Sequence, residues 1–490
     1  MKLDKNIDKI INKINTMNGN NKDIVVRNYK IRKSRITCMY LESVASDDKI
    51  TEQVLKSISV DTKFPFINLF NGIYNKLNNT LPSGKLITFD NYDDMFFYMA
   101  SGFVCILVDN NNKGMAIEAK ADLNRSISEP TTEKIIRGPK DSFTENYSVN
   151  VGLIRKRIKD PNLWFEQFFI GRRTKTKVSV SYIKDIVRSD ILNKVIKKIE
   201  DIDIDGVLDS GYIRDFLTCD TKSILPTVIS TERPDLACEA LLEGKVVVVV
   251  ENTPFVLIVP GLLIDFFHTT EDYYQKPINV SFSRVLRMLA FILTISIPGL
   301  YIAITTFNHE VLPSDLLSSI AMQRNGIPFQ TAIELIIMTT FFELLRESDI
   351  RTPDVMGNSI SIVGALILGD AAVNAGIVSP IVVIVVAMTA VSSMLFSDID
   401  VVNACRWWRL FFLIGSSVLG LIGFLIVGII FLIKLVSVES FGVPYLTPFS
   451  PLYPNDLKDA VIVTPHNKLF KRPKFLTNKN IFRLGGRKWN

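Results

Sequence analysis

Hydrophobic and polar positions divide the 490-residue chain into two unlike halves. Up to about residue 283 the apolar residues come in short runs between polar ones, and from about 285 to 435 long apolar runs dominate. In the first half, alternation marks strands at Ile36–Leu41, Leu86–Thr88 and Val104–Val108. Met115–Ala119 follows the turn-rich Asp109–Gly114 and reads as the second arm of a hairpin. Ile50–Ile58 and Tyr92–Met99 carry helical spacing between those strands. A second block repeats the mixture, with a helix over Ser148–Arg157 and strands over Glu166–Gly171 and Lys177–Tyr182. The pattern predicts an α/β or α+β N-terminal region of two subdomains. Lys245–Asp265 is apolar enough to imitate a membrane span, but Glu251-Asn252-Thr253-Pro254 cuts it into two valine-rich halves, which predicts a hairpin.

The second half predicts an α-helical polytopic membrane domain. Five apolar segments, Val285–Phe307, Ile327–Leu345, Ile360–Val378, Pro380–Phe396 and Leu410–Ile433, each approach the roughly 17–25 residues that a spanning helix needs. Arg284 and Arg287 before the first segment and a basic stretch after the last place both ends in the cytoplasm. That requires an even number of crossings. Ile327–Leu345 opens on Pro328 and carries two carboxylates, so it is expected to be re-entrant or interfacial, leaving about four crossings. The expected layout is a polar basic extension over 1–30, a cytoplasmic subdomain over 31–140 and a second over 141–280. A transmembrane domain over 281–436 and a basic cytoplasmic tail over 437–490 complete it.

Charge and cysteines refine this picture. The formal charge of +6 is not a nucleic-acid signature, because the basic residues concentrate at the two ends. They suit an anionic inner leaflet or, equally, solvated tails kept inside by the positive-inside rule. Five scattered cysteines form no disulfide framework or zinc motif, which fits a reducing compartment. Residues 1–23 show isoleucines at helical spacing and no apolar leader, so the N-terminal region is expected to remain cytoplasmic.

Ionisable groups inside apolar segments are costly and mark function. Glu343 with Arg346 (i,i+3) and Glu347 with Arg351 (i,i+4) are spaced to pair on one helix face. Glu334 has no basic partner nearby in sequence and is expected to meet water, ions or a neighbouring subunit, the alternative being a structural pair at the membrane edge. Asp370 and Asn374 stand one turn apart in a segment rich in small residues, with Gly364, Gly369 and Gly376. Such a face is either a close-packing surface or a pore lining. No catalytic constellation is present: the run Asp201, Asp203, Asp205 resembles a calcium loop but ends on Tyr212, and the three histidines are far apart. No cofactor or metal is expected, and the chain does not read as an enzyme.

Motifs then point to a family. Thr231-Glu232-Arg233-Pro234-Asp235, the run from Pro328 to Pro380 with Phe342-Glu343-Leu344-Leu345-Arg346-Glu347, and Ser440-Phe441-Gly442-Val443-Pro444-Tyr445 occur in one order. Together they resemble the A subunits of the GerA family of spore germinant receptors. Gln330, Ser348, Asp370 and the loop Ser397–Asp400 depart from the family pattern. The resemblance implies a multi-pass protein of the spore inner membrane working beside a transporter-like B subunit and a lipoprotein C subunit. It also implies a homo-oligomeric, ion-conducting component gated by germinant binding to a partner. Glu232, Arg233 and Asp235 then either fix the soluble region against the membrane domain or relay a signal to another subunit. A paralogous A-type sporulation protein that amplifies ion release and a non-conducting scaffold remain the alternatives.

Overall fold

The computed structural model describes residues 1–19, 22–31, 34–55, 69–80, 86–121, 129–219, 223–351, 367–454, 456–477 and 479–483. The first layer contains α1 (Ile7–Met17), β1 (Ile24–Ile31), β2 (Ser34–Leu41), α2 (Leu69–Thr80), β3 (Leu86–Phe89), α3 (Tyr92–Ala100), β4 (Phe103–Val108) and β5 (Gly114–Glu118). Its sheet is antiparallel throughout, in the order β1-β2-β4-β5-β3. Both faces are covered, so alternate residues of β4 enter different cores. Cys105 and Leu107 pack with Ile7, Ile10 and Ile14 of α1 and Met95, Phe96 and Met99 of α3. Val104, Ile106 and Val108 pack with Ile73 of α2. Residues 1–30 are therefore not a separate polar extension. The isoleucine stripe of α1 roofs the sheet, and β1 is its edge strand.

The second layer repeats the first. α4 (Tyr147–Arg157), β6 (Leu163–Ile170), β7 (Thr176–Ile183), α5 (Ser189–Glu200), α6 (Ser210–Leu217), β8 (Ile229–Thr231), α7 (Pro234–Glu243), β9 (Val246–Val250) and β10 (Val256–Val259) follow in chain order. The antiparallel sheet runs β6-β7-β9-β10-β8, the order of the first sheet strand for strand. Special backbone positions match as well. Gly102 and Gly244 take positive φ (81° and 102°) at the helix-to-strand turn, and Asn110 and Asn252 (62° and 67°) at the following hairpin. Asparagine tolerates the left-handed region better than most residues, which suits it to a tight reversal. The β9–β10 pairing is the hairpin expected for Lys245–Asp265. The layers are joined by a buried ion pair, Arg155 Nε to Asp23 Oδ2 at 2.9 Å.

Beyond the second layer lie α8 (Pro277–Ile302), α9 (Ser314–Gln323), α10 (Thr331–Arg351), a helical stretch at 367–374, α11 (Pro380–Ser393) and α12 (Ile399–Ser437). Among the described residues, two helices are long and apolar enough to cross a membrane, Pro277–Phe307 and Ile399–Ser437, and Pro380–Ser393 is a shorter apolar helix.

The last apolar segment is not one straight helix. In a continuous helix Trp408 and Phe431 would lie about 35 Å apart at 1.5 Å per residue. Their ring centroids are 4.7 Å apart. Gly420 leaves helical geometry (φ 60°, ψ −136°), so α12 is a hairpin of two legs, 399–419 and 421–437. Glycine is required where the legs meet: a Cβ at Gly423 would overlap the Gly415 carbonyl oxygen. The α10 segment, expected to be re-entrant or interfacial, runs unbroken for 21 residues once Pro328 is passed. The break falls on Gly420, in an apolar run without proline.

Residues 437–490 were expected as a basic cytoplasmic tail. Instead β11 (Glu439–Ser440) and β12 (Val443–Pro444) pair, and Phe441, Tyr445, Ala460, Phe475 and Leu476 enter the core of the second layer. That same core continues through Phe267, Phe291 and Phe396 into Trp408 and Phe412 of α12. Both ends of the hairpin thus return to the soluble half.

Candidate functional site

Three groups of polar side chains stand out, and sequence neighbours form only part of each. The first is built on Thr231-Glu232-Arg233-Pro234-Asp235. This stretch spans the end of β8 and the first turn of α7, where Pro234 fits because its missing N–H is not needed. Glu232 accepts from Thr131 N (2.8 Å) and Thr131 Oγ1 (3.0 Å). Arg233 donates to Asp235 (2.6 Å) and to the Pro139 carbonyl (3.0 Å), and Asp235 accepts from Tyr274 Oη at 3.0 Å. Glu133, missed in the sequence, accepts from Thr231 Oγ1 at 2.6 Å. Burial pushes its carboxyl up to about 7. The box therefore clamps the connecting segment 131–143 and the approach to α8 onto the second layer.

The second group joins the soluble half to the base of α8. Asp272 accepts from Arg284 Nε (2.8 Å) and Arg287 Nη2 (2.6 Å), and Arg284 also donates to the Asp459 carbonyl. Burial opposes ionisation of Asp272, but the two arginine hydrogen bonds outweigh it and hold the carboxyl at about 2. Tyr273 Oη donates to Asp459 Oδ2 at 2.8 Å. His268 contacts the Ala460 carbonyl at 3.0 Å, and burial, reinforced by the Arg284 charge, lowers its pKa to about 3. Burial, followed by the neighbouring Glu243 carboxylate, raises Glu239 to about 8. A carboxyl raised from 4.5 to about 8 contributes stability that is complete below 4.5 and lost as pH rises through 8. Thermal unfolding of the full chain should therefore lose several degrees between pH 5 and about pH 8.5, and Glu239→Gln should flatten that fall. An identical slope in the variant would show that this carboxyl does not titrate with folding.

The third group lies among the apolar helices. Glu334, expected either to face water, ions or a neighbour or to make a structural pair, is fully enclosed. It accepts from Ser379 N (2.8 Å) and Ser379 Oγ (2.9 Å), with Arg324 Nε at 3.8 Å. It ties the starts of α10 and α11 together, because burying a carboxylate demands donors that only distant segments supply. Glu343 pairs with Arg346 as expected (3.1 Å) and also with Arg406 (3.0 Å) and Arg409 (2.5 Å) of α12. These two arginines were missed, although their i,i+3 spacing around Trp407-Trp408 places both on one face. The Arg351 side chain and Gly364 lie outside the described residues, so the Glu347–Arg351 pair and that glycine are not placed. Asp370 and Asn374 are both exposed, and Gly369 is buried with Val383 Cγ1 3.5 Å from where its Cβ would be. Gly376 turns the chain at φ 65° in open space. Among the described residues no three His, Cys, Asp or Glu side chains are grouped to hold a metal ion.

A two-layer antiparallel N-terminal region continuous with apolar helices is thus the class of protein that the fold defines. Residues 12–475 match the family model described as "Bacillus/Clostridium GerA spore germination protein". The chain belongs to this GerA family. It is 37% identical over 471 residues to "Spore germination protein KA" of Bacillus subtilis (strain 168), covering 95% of this chain and 86% of that protein. It is 34% identical over 439 residues to "Uncharacterized membrane protein YfkQ" of the same organism, covering 89% and 84%. Among solved structures it is similar to the N-terminal domain of the A subunit of the Bacillus megaterium spore germinant receptor GerK3, at 29% identity, 54% of this chain, 98% of that chain and a TM-score of 0.43.

Proposed function

We propose that this chain is the A subunit of a nutrient germinant receptor of the spore inner membrane, and that it forms the oligomeric, ion-conducting part of that receptor. Membership of a family of spore germination proteins supports the first statement. One observation carries the second. Asp370 and Asn374 project, exposed, from a stretch packed against α11, beside α8 and α12, the helices that are long and apolar enough for a bilayer. A carboxylate facing hydrocarbon is costly, so these side chains face water or a further copy of the chain. The small residues Gly369, Ala372 and Gly376 permit the close packing that such an assembly needs. In this reading the clamp at Glu232, Arg233 and Asp235 holds the soluble half in register with the helices, and both ends of the chain are cytoplasmic. A transporter-like B subunit carries the germinant, a lipoprotein C subunit completes the complex, and germinant shifts the helices between two packings.

The test is cation flux into liposomes that contain the chain with its B- and C-type partners. Nutrient should open the flux, and Asp370→Leu should reduce it about tenfold or more, while Glu334→Gln should act through folding and lower the amount of assembled complex instead. Absent flux from an intact complex would leave a non-conducting scaffold as the better reading, and flux that ignores nutrient would overturn the gating by germinant.

A further inference from the structure

We propose that Arg406 and Arg409 form a binding site for the phosphate headgroup of an anionic phospholipid, a role that rests on reading the helical half as membrane-embedded. Three guanidinium groups converge on the single carboxylate of Glu343, at 3.1, 3.0 and 2.5 Å. Arg409 is nearly enclosed at 5% exposure, whereas Arg406 keeps 39% and opens outward. Three guanidinium groups sharing this one carboxylate, with Arg406 open to the outside, leave a local excess of positive charge that favours a further anion.

The surroundings say which anion. Arg406 and Arg409, with Glu343 between them and Arg346, form one end of a pocket of about 250 Å³ whose remaining wall includes Ile336, Trp407, Leu410 and Leu413. Trp407 is 53% exposed, and an exposed indole beside arginines is the arrangement found at headgroup depth. Depth agrees. The first leg of α12 leaves the soluble half at Ile399, where Asp400 pairs with Arg214 at 2.6 Å. Arg406 follows about 10 Å further along the helix, at 1.5 Å per residue. A free phosphate would satisfy the guanidiniums but leave the apolar wall uncovered. A phospholipid satisfies both, its phosphate against Arg406 and Arg409 and its acyl chain along Ile336, Leu410 and Leu413. Because the pocket bridges α10 and α12, an occupied site would hold these two elements together from the membrane side.

The experiment reconstitutes the full-length chain in lipid discs of phosphatidylcholine with or without phosphatidylglycerol and counts retained lipids by native mass spectrometry. Phosphatidylglycerol should be retained about fivefold over phosphatidylcholine, and Arg406→Gln should remove most of that preference. Thr340→Glu, which adds a negative charge to the pocket wall while keeping Glu343 and all three arginines, should do the same. Equal retention of the two lipids, or an unchanged preference in both variants, overturns the proposal. So does competition by millimolar inorganic phosphate that abolishes retention, which would mark a free-anion site. A self-association lost in Arg406→Gln with lipid retention intact would mark a contact between copies and overturn it as well. Failure of the chain to enter either disc would instead remove the membrane reading on which the site rests.

Discussion

Asp272→Ala should cost the full-length protein about 3–5 kcal/mol and loosen the soluble half from the helices. The size follows from what is left behind. Arg284 is fully buried and Arg287 nearly so, and both charges lose their shared carboxylate at once. Asp459 remains near Arg284 at 3.6 Å but does not reach Arg287. Breaking one side of a buried ion pair is more damaging than never having had it, because the partner's desolvation is then uncompensated. Unfolding in detergent should show the fall in midpoint, and limited proteolysis should open the segment between Phe267 and Pro277 before any other site. A second variant that also removes Arg287 should recover part of the loss. A parental midpoint and cleavage pattern in Asp272→Ala would mean that the junction is held by the apolar core through Phe267, Phe291 and Phe396 alone.

Gly423→Val should open the α12 hairpin. The added side chain would meet the backbone carbonyl of Gly415, which cannot rotate away, so the cost lies at or above the about 1–3 kcal/mol typical of overpacking. Gly420 beside it already occupies a conformation reserved for glycine, and a Cβ there would sit 2.6 Å from Phe307 Cβ. Spin labels at Trp407→Cys and Ile430→Cys, with the exposed Cys219 replaced, report the result directly. The parent should give a short distance, and Gly423→Val should populate distances that approach the about 35 Å of a straight helix. A long distance in the parent would remove the hairpin itself.

These two sites mark where sequence reasoning stops. The hairpin at Lys245–Asp265 was legible because Asn252 and Pro254 interrupt a valine run locally. The helix of Ile7, Ile10 and Ile14 was legible as a helix, but periodicity names a face and not what covers it, so its place on the first sheet was missed. Gly420 was invisible for a different reason: Gly415, Gly420 and Gly423 scattered through leucine and isoleucine resemble the small residues of any membrane helix. In the candidate site, Glu343–Arg346 was readable from its spacing on one helix. Arg409 with Glu343, Ser379 with Glu334 and Asp459 with Arg284 lie far apart in sequence. Their partners are set by tertiary packing, and no local pattern carries that information. The repeated strand order of the two layers was missed likewise, since Met95 and Ala237 can fill matching core positions without resembling one another.

The central claim is that this chain works in the response of spores to nutrient, and removing it from spores tests that claim most directly. Spores lacking the chain, and spores carrying Asp370→Leu, would be exposed to a panel of nutrients while cation release is followed. The account predicts that both lose release to at least one nutrient that triggers the parent, and that restoring the unaltered chain brings it back. Unchanged release to every nutrient, with the remaining receptors also removed, would contradict it.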